Sequence, residues 1–188
     1  MGASDIQALA KKSHAARLVL DFDWSRSPVG SISAWPPELT VAVQLAFQNK
    51  APTLVAWGSE LTQIYNDAFI AVLRERHPAA LGQSVRACWA DAWHVTGPIF
   101  QSVMRTGLAT CITDMPITLQ TLDVTETRFF DVNYAAIALE NGTIGGVLST
   151  CIEITDRHLL QQLDQSQGSS ELPNRFLTPA CVVVQPDP

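Results

Sequence analysis

The sequence predicts an α+β fold with an antiparallel sheet, and three observations support this class. Two short apolar runs flank residues 58–60, Gly-Ser-Glu, which is typical of a tight hairpin. Residues 128–139 and 145–155 flank an Asn-Gly pair, the strongest short hairpin signal. Helical periodicity fills the region between the two hairpins, so five strands are expected with short helices inserted after the second.

The first fifty residues are predicted to form a helical cap. An apolar stripe of Ile6, Leu9 and Ala16 indicates a helix over residues 5–17, with Ser4 or Asp5 as its cap. A second helix is predicted to start after Trp35 with two prolines, because the first helical turn does not need the N–H that proline lacks. Its predicted apolar face is Leu39, Val43, Ala46 and Phe47.

The first hairpin leads directly into a helix. Asn66 can supply a side-chain oxygen to an unpaired backbone N–H, so it is interpreted as the helix cap. Phe69, Val72 and Leu73 follow at the i, i+3, i+4 spacing of one helical face. This helix is therefore expected to lie across the inner face of the sheet.

The last three strands differ in pattern. Pro116 within residues 109–119 indicates an edge strand or a bulge, because proline cannot donate to a central ladder. In the next strand, alternation directs Phe130, Val132 and Tyr134 toward the helices. For the final strand, one face is predicted to hold Leu148, Thr150, Ile152 and Ile154.

Composition excludes several functional classes. The chain has 188 residues, a net charge of −6 and no basic cluster longer than Lys11-Lys12, which argues against nucleic-acid and anionic-membrane surfaces. No apolar run approaches the roughly 18 to 20 residues of a membrane span. The four cysteines are scattered, which is typical of reduced thiols. We therefore expect a cytoplasmic protein that contacts neither nucleic acid nor membrane.

A family resemblance emerges from the order of short motifs between Phe22 and Arg157. In chain order they are Asp23-Trp24-Ser25, Pro28-Val29-Gly30, Trp35-Pro36, Ala56-Trp57-Gly58, Tyr65-Asn66-Asp67-Ala68-Phe69, His77-Pro78, Leu81-Gly82, Trp89, Trp93, Gly97-Pro98, Asp114-Met115-Pro116, Gly146-Val147 and Glu153-Ile154-Thr155-Asp156-Arg157. In this order they resemble a PAS sensory domain, of the type found at the N-terminus of bacterial sensor histidine kinases, including hybrid ones. The resemblance implies three parts: a helical cap (1–50), a PAS core (51–157), and a short exit helix with a loosely ordered tail (158–188).

The resemblance also implies a ligand pocket and a signal exit. The expected pocket residues are Tyr65, Phe69, Trp89, Trp93, His94, Phe130, Tyr134 and Thr150. The expected exit residues are Glu153, Ile154, Thr155 and Asp156, where the last strand leads into a signalling helix. For each aromatic residue, plain core packing is the alternative interpretation. No catalytic or metal-binding residue is predicted.

The cofactor is left unknown. The Asn-Cys-Arg-Phe segment of flavin-binding relatives is absent, so a flavin adduct is not expected. His94 opens the helix that carries the axial ligand in haem-binding relatives, but a lone histidine in a Trp-rich segment is more often structural. Cys88 and Cys151 are expected to be inert buried thiols rather than oxidant sensors.

The function that the resemblance implies is a sensory module for two-component signalling. It would bind a small apolar or planar ligand and pass its state on through dimer contacts and the exit helix. The alternative is a ligand-free interaction or dimerisation module, and a haem-based redox or gas sensor is less favoured. The expected partner is a second copy of the chain or a signalling kinase. No catalytic motif occurs and no kinase half follows Leu163, so no enzyme activity is expected.

Overall fold

The computed structural model describes residues 2–120 and 125–167, with only the backbone of 2–5, 120 and 165–167. In these ranges, five strands form one antiparallel sheet in the order β2-β1-β5-β4-β3. The strands are β1 Thr53–Trp57, β2 Thr62–Tyr65, β3 Thr110–Gln120, β4 Thr125–Ala138 and β5 Ile144–Glu153. The predicted α+β class and the five-stranded antiparallel sheet are confirmed.

Helices precede the sheet, interrupt it after β2 and follow it. They are α1 Gly2–Ala10, α2 His14–Asp21, α3 Pro37–Gln48, α4 Ile70–Leu73, α5 Val85–Cys88, α6 Trp93–Thr106 and α7 Thr155–Gln167. Two 3₁₀ turns, at 67–69 and 74–76, flank α4. Gly107 ends α6 with a left-handed φ of 70°, a conformation that glycine adopts without strain.

The N-terminal region contains two helices instead of the single predicted one. Ser4 and Asp5 lie inside α1 rather than at its cap, and the chain turns after Ala10. The new start is favoured by Ser13, whose Oγ accepts a hydrogen bond from the Ala16 N–H at 3.0 Å. A serine that follows the first apolar stripe therefore divides the predicted helix.

Helices pack on both faces of the sheet. We call the face toward α4, α5 and α6 the inner face, and the opposite face, on which α3 packs, the outer face. Phe130, Val132 and Tyr134 are buried on the inner face, as the alternation of β4 predicts. The outer face receives α3, and α1 packs in turn on α3, so the N-terminal helices form a second layer.

The register of β5 corrects one expectation. Ser149 lies directly opposite Tyr134, and Cys151 opposite Val132, so both face inward. Leu148, Thr150 and Ile152 consequently face outward, because side chains alternate along a strand. Leu148 meets the α3 side and Ile152 is 56% exposed, and Thr150 therefore does not face the pocket in which it was expected.

Asn66 joins three segments as well as capping the turn that follows it. Its Oδ1 accepts the N–H groups of Phe69 and Thr53, both at 3.0 Å. Its Nδ2 donates to the carbonyls of Ala46, Asn49 and Ala51 at 2.9 to 3.0 Å. The predicted cap is confirmed, and the same side chain fastens the end of α3 to the start of β1.

The prediction for Pro116 is also confirmed. It lies in β3, one of the two edge strands of the described sheet. The register between β3 and β4 shifts between Ile112 and Met115, where Asp114 has a left-handed φ of 52°. Along the described part of the chain, no helix is long and apolar enough to cross a bilayer.

Candidate functional site

A small apolar cavity lies between the inner face of the sheet and the helices inserted after β2. Its volume is about 60 Å³. Strands β1, β3, β4 and β5 form its floor, and residues from Phe69 to Phe100 form its roof. None of the described lining residues is charged. The cavity therefore favours a neutral occupant, because an unpaired charge is costly to bury.

Four of the expected pocket residues line this cavity. Phe69 and Trp89 contribute from the roof, with their rings edge to face at 6.2 Å. Phe130 and Tyr134 contribute from β4, two residues apart on the same face. Trp89 is fixed by its indole N–H, which donates to Gln63 Oε1 at 3.3 Å.

Tyr65 and Trp93 lie outside the cavity lining. The Tyr65 hydroxyl lies 3.0 Å from His77 Nδ1, so the side chain is directed toward that histidine. Burial, with a smaller contribution from Cys88, raises the pKa of Tyr65 to about 12. Trp93 packs across Gly97 of its own helix, where a Cβ would come within 2.6 Å of the indole, and its ring stacks on Phe100 at 6.3 Å.

His94 and Thr150 also lie elsewhere. His94 is exposed in the first turn of α6, since the inward positions of that helix are taken by residues such as Thr96 and Phe100. Thr150 is on the outer face, opposite Asn133 and Thr53. Four of the expected pocket residues therefore line the cavity and four do not. Residue type alone does not distinguish the two groups.

Three polar groups of the lining were not predicted as pocket residues: those of Ser149, Cys151 and Thr96. Ser149 and Cys151 could have been found by pairing β5 with β4 in the correct register, which directs these two residues inward and Thr150 outward. The Thr96 hydroxyl lies 3.2 Å from the Ala92 carbonyl and can donate to it. No local feature of the sequence indicates the inward position of Thr96.

The thiols near the cavity are poorly ionised. Burial, followed by the charge of Glu153, raises the pKa of Cys151 to about 12. Burial also raises the pKa of Cys88, although a hydrogen bond to Gln63 opposes the shift. A thiol with a raised pKa holds little thiolate near neutral pH. Both groups therefore have the properties of inert buried cysteines.

Arg128 is a buried cation beside the cavity, and sequence reasoning missed it. It precedes Phe130 by two residues, so both side chains lie on the inner face of β4. Its guanidinium donates to Glu153 Oε2 at 3.1 Å and approaches the Val72 carbonyl at 3.5 Å. Its Nε lies 3.2 Å from Glu126 Oε1, but in a geometry that makes no hydrogen bond.

The predicted exit residues connect this arginine to α7. The Glu153 carboxylate accepts a hydrogen bond from the Thr155 hydroxyl at 3.0 Å. Thr155 is the first residue of α7, and its Oγ1 also accepts the Phe129 N–H at 3.1 Å. Ile154 is buried and pairs with the Phe129 carbonyl. Asp156 lies in the first turn of α7, where a negative charge interacts favourably with the helix dipole.

The first turns of α7 contact the outer face. Arg157 pairs with Asp131 at 2.8 Å, and the His158 ring stacks on Phe129 at 3.6 Å. His158 Nδ1 also lies 3.3 Å from Asp114 Oδ1. Beyond this point Leu159, Leu160 and Leu163 are 48 to 62% exposed.

A second, open depression lies on the outer face between α3 and β4. It measures about 600 Å³ and is lined mainly by small or aliphatic side chains, including Leu148. On its rim, Val41 and Leu45 of α3 are 51% and 57% exposed. The outer face therefore presents apolar surface that the described residues of this chain do not cover.

Large cofactors do not fit the inner cavity as it stands. Its volume is less than half of the roughly 150 Å³ that accommodates benzene in an engineered protein cavity. A haem or a flavin is several times larger than benzene, and no described histidine lines the cavity. In the described ranges, no group of three His, Cys, Asp or Glu side chains is arranged to hold a metal ion.

Comparisons with known proteins show similarity at the level of the fold. No protein family and no curated protein matches the sequence. The PAS domain of BvgS from Bordetella pertussis aligns with a TM-score of 0.53 and 19% identity, over 70% of this chain and 98% of that domain. A PAS domain from Colwellia psychrerythraea aligns with a TM-score of 0.46 and 19% identity, over 63% and 98%.

An RNA-binding light-oxygen-voltage receptor gives a TM-score of 0.49 and 17% identity over 73% of this chain. The alignment covers 40% of that receptor, less than half of its length. Because its identity is below 25%, the BvgS domain, with its TM-score of 0.53, informs the fold and not the ligand.

Proposed function

The chain has the PAS fold and the architecture of a PAS signalling module, and on that premise we propose that it is a ligand sensor. A small apolar ligand would occupy the inner cavity, and its presence would alter the attachment of α7. The conformational equilibrium shifts only if the ligand binds the two attachment states with different affinity. The cavity and α7 must therefore share contacts.

Arg128 is the observation that carries this proposal. It contacts the carbonyl of Val72 and lies beside Phe130, and both of these residues line the cavity. The same guanidinium holds Glu153, which accepts the hydroxyl of Thr155 at the start of α7. A ligand that displaces the lining residues would therefore alter the attachment of α7 through one buried charged group, the guanidinium of Arg128. Such a group is sensitive to small shifts, because a buried charge requires close partners.

Xenon is a suitable probe, since it is purely apolar and occupies cavities too small for larger ligands. Under several bar of xenon, we expect NMR shifts in the methyl groups of Val72 and Val132 and in the amides of residues 155–160. Arg128→Met should keep the methyl shifts and lose most of the amide shifts. Arg74→Met is the matched control, because Arg74 pairs with Glu126 but has a largely exposed side chain.

Two results would contradict the proposal separately. Xenon that shifts the cavity methyls but leaves α7 unchanged in the unaltered protein would exclude the relay. The absence of any cavity shift would exclude ligand binding. That second result would favour the alternative, a ligand-free interaction module with a filled core, which the small cavity volume supports.

Output through a second copy of the chain or a kinase partner is also part of the proposal. Leu159, Leu160 and Leu163 lie within two turns of α7 and are exposed, an arrangement suited to a partner helix. In contrast, the apolar stripe of the N-terminal helices is covered within the chain, where Ile6 and Ala16 are fully buried. We therefore assign the association surface to α7, in the two-component setting that the family resemblance implies.

Sedimentation velocity tests this assignment. The full chain should sediment as a dimer at tens of micromolar, and replacing Leu160 and Leu163 by Gln should yield monomers. The matched control is a Val41→Gln, Leu45→Gln protein, which changes two exposed apolar side chains on α3 instead. A monomeric unaltered chain would contradict the proposal, and so would a dimer that only the α3 variant disrupts.

A further inference from the structure

Two hydroxyl groups of the inner cavity have no hydrogen-bond partner among the described residues, those of Tyr134 and Ser149. Both residues are almost fully buried, at 3% and 4% exposure. They lie directly opposite each other on β4 and β5, on the face that forms the cavity floor. Burying a hydroxyl without a partner costs free energy, so an occupant of the cavity is expected to supply one.

Other buried hydroxyls nearby are satisfied by the protein itself. Tyr65 has His77 as its partner at 3.0 Å, and Thr96 has the Ala92 carbonyl at 3.2 Å. Thr53, which is fully buried on the outer face, donates to the Ala51 carbonyl at 2.9 Å. Among the hydroxyls that line the cavity, those of Tyr134 and Ser149 are therefore unpaired, whereas that of Thr96 is satisfied.

The occupant must also be small and neutral. The described cavity lining has no charged side chain. Burial also raises the pKa of the Tyr134 hydroxyl, so this group stays protonated and neutral. An ion in the cavity would therefore meet no counter-charge. A volume of about 60 Å³ is suited to only a few heavy atoms. A carbonyl oxygen matches the polar groups, because it has two lone pairs and each hydroxyl can donate one hydrogen.

We propose that the cavity ligand is a small neutral carbonyl compound with an apolar remainder, whose oxygen is recognised by Tyr134 and Ser149. This inference rests on the proposed ligand-binding function and specifies its ligand class. It separates by role the four expected pocket residues that line the cavity: Tyr134 recognises the polar group, whereas Phe69, Trp89 and Phe130 enclose the apolar part.

The test compares two probes of the same shape on the full chain. Butanone carries the carbonyl, and 2-methylbut-1-ene replaces its oxygen with a CH₂ group. Binding is measured from the methyl NMR shifts of Val72, Val132 and Leu119, with the outer-face methyls of Val41 and Leu45 as the location control. We expect saturable shifts confined to the cavity, and about three- to tenfold tighter binding of butanone for each hydroxyl engaged.

Variants test whether the hydroxyls of Tyr134 and Ser149 cause the tighter binding of butanone. Tyr134→Phe and Ser149→Ala should each remove part of the preference for butanone, and the double variant should bind both probes equally. Tyr65→Phe and Thr150→Ala are the matched controls, since each removes a hydroxyl of the sheet that does not line the cavity. Both controls should retain the full preference.

The outcomes distinguish this inference from the function on which it rests. Equal binding of the two probes by the unaltered protein would overturn the carbonyl assignment and leave a cavity that binds apolar ligands. A butanone preference that survives the double variant would also overturn it. Failure of butanone, 2-methylbut-1-ene and xenon to shift the cavity methyls would instead overturn the proposed ligand-binding function.

Discussion

The two helical ends of the chain carry similar short apolar stripes in different surroundings. In α1, Ile6 is fully buried and Ala10 is 7% exposed, because α1 packs against α2 and α3. In α7, Leu159, Leu160 and Leu163 are 48 to 62% exposed. A short stripe therefore predicts that a helix needs a partner surface, and it does not identify that surface.

The difference follows from how each end is fastened. Asp67, next to β2, accepts the backbone N–H groups of His14 and Ala15 at 3.2 and 2.6 Å and so binds the start of α2 to the core. The contacts of α7 described above involve its first turns and are partly exposed, and such polar contacts each contribute little. The N-terminal helices are thus part of the folded core, whereas α7 is held at one end.

The largest expected effect on stability is at Phe130, which is compared with its neighbour Phe129 in β4. Phe130→Ala should lower the free energy of unfolding by about 3 to 5 kcal/mol, because the ring is buried on the inner face. Phe129→Ala should cost about 1 kcal/mol, since this half-buried ring mainly supports His158 of α7. Urea denaturation measures both. Equal losses would show that the strand faces are assigned incorrectly.

Asn66→Ala is expected to have the next largest effect. It leaves several buried backbone groups of α3, β1 and the turn after β2 without partners, so the loss should be about 2 to 3 kcal/mol. Asn133→Ala, on the exposed outer face, is the matched control and should change stability by less than about 0.5 kcal/mol. Chemical denaturation checks the pair, and a small effect at Asn66 would mean that α3 is fastened to the sheet by packing alone.

The two helical ends of the chain are compared directly by substituting one apolar residue of α1 and one of α7. Ile6→Ala should cost about 2 kcal/mol, at the low end for buried aliphatic residues because a terminal helix can separate locally. Leu160→Ala should cost less than about 0.5 kcal/mol in the monomer. The measurement is urea denaturation at low protein concentration. A large loss at Leu160 under these conditions would indicate that α7 packs on its own chain.

The smallest expected effect is a pH dependence at the junction of α2 with the core. Burial and, to a lesser degree, the neighbouring His14 lower the pKa of His77 below 6.5, while Asp67 opposes the shift. The unfolded chain therefore takes up a proton at higher pH than the folded chain. This contribution to stability is present above about pH 6.5 and is lost as the pH falls toward the folded-state pKa.

Denaturation midpoints between pH 7.5 and 5.5 measure this effect. His77→Gln should flatten the dependence in this range, whereas His94→Gln, at an exposed position of α6, should leave it unchanged. An identical pH profile for the His77 variant and the unaltered protein would exclude His77 as the source.

The sequence by itself determined the local elements and their order. The two hairpins, the Asn66 cap, the proline start of α3, the edge position of Pro116 and the final helix all follow from turn, cap and periodicity rules that act within a few residues. The aromatic content of β4 likewise predicted Phe130 and Tyr134 on the inner face. These features depend on neighbouring residues, which a sequence displays directly.

The tertiary structure decided which surfaces meet. Thr150 and Ser149 are adjacent and both polar, and only the pairing of β5 with β4 determines which of them faces the cavity. Tyr65 and Tyr134 both carry hydroxyls, but His77 satisfies the first and the second lines the cavity. Arg128 is buried because Val72 and Glu153, 56 and 25 residues away, close around it. Such contacts depend on strand register and chain packing over long sequence separations, which local patterns do not encode.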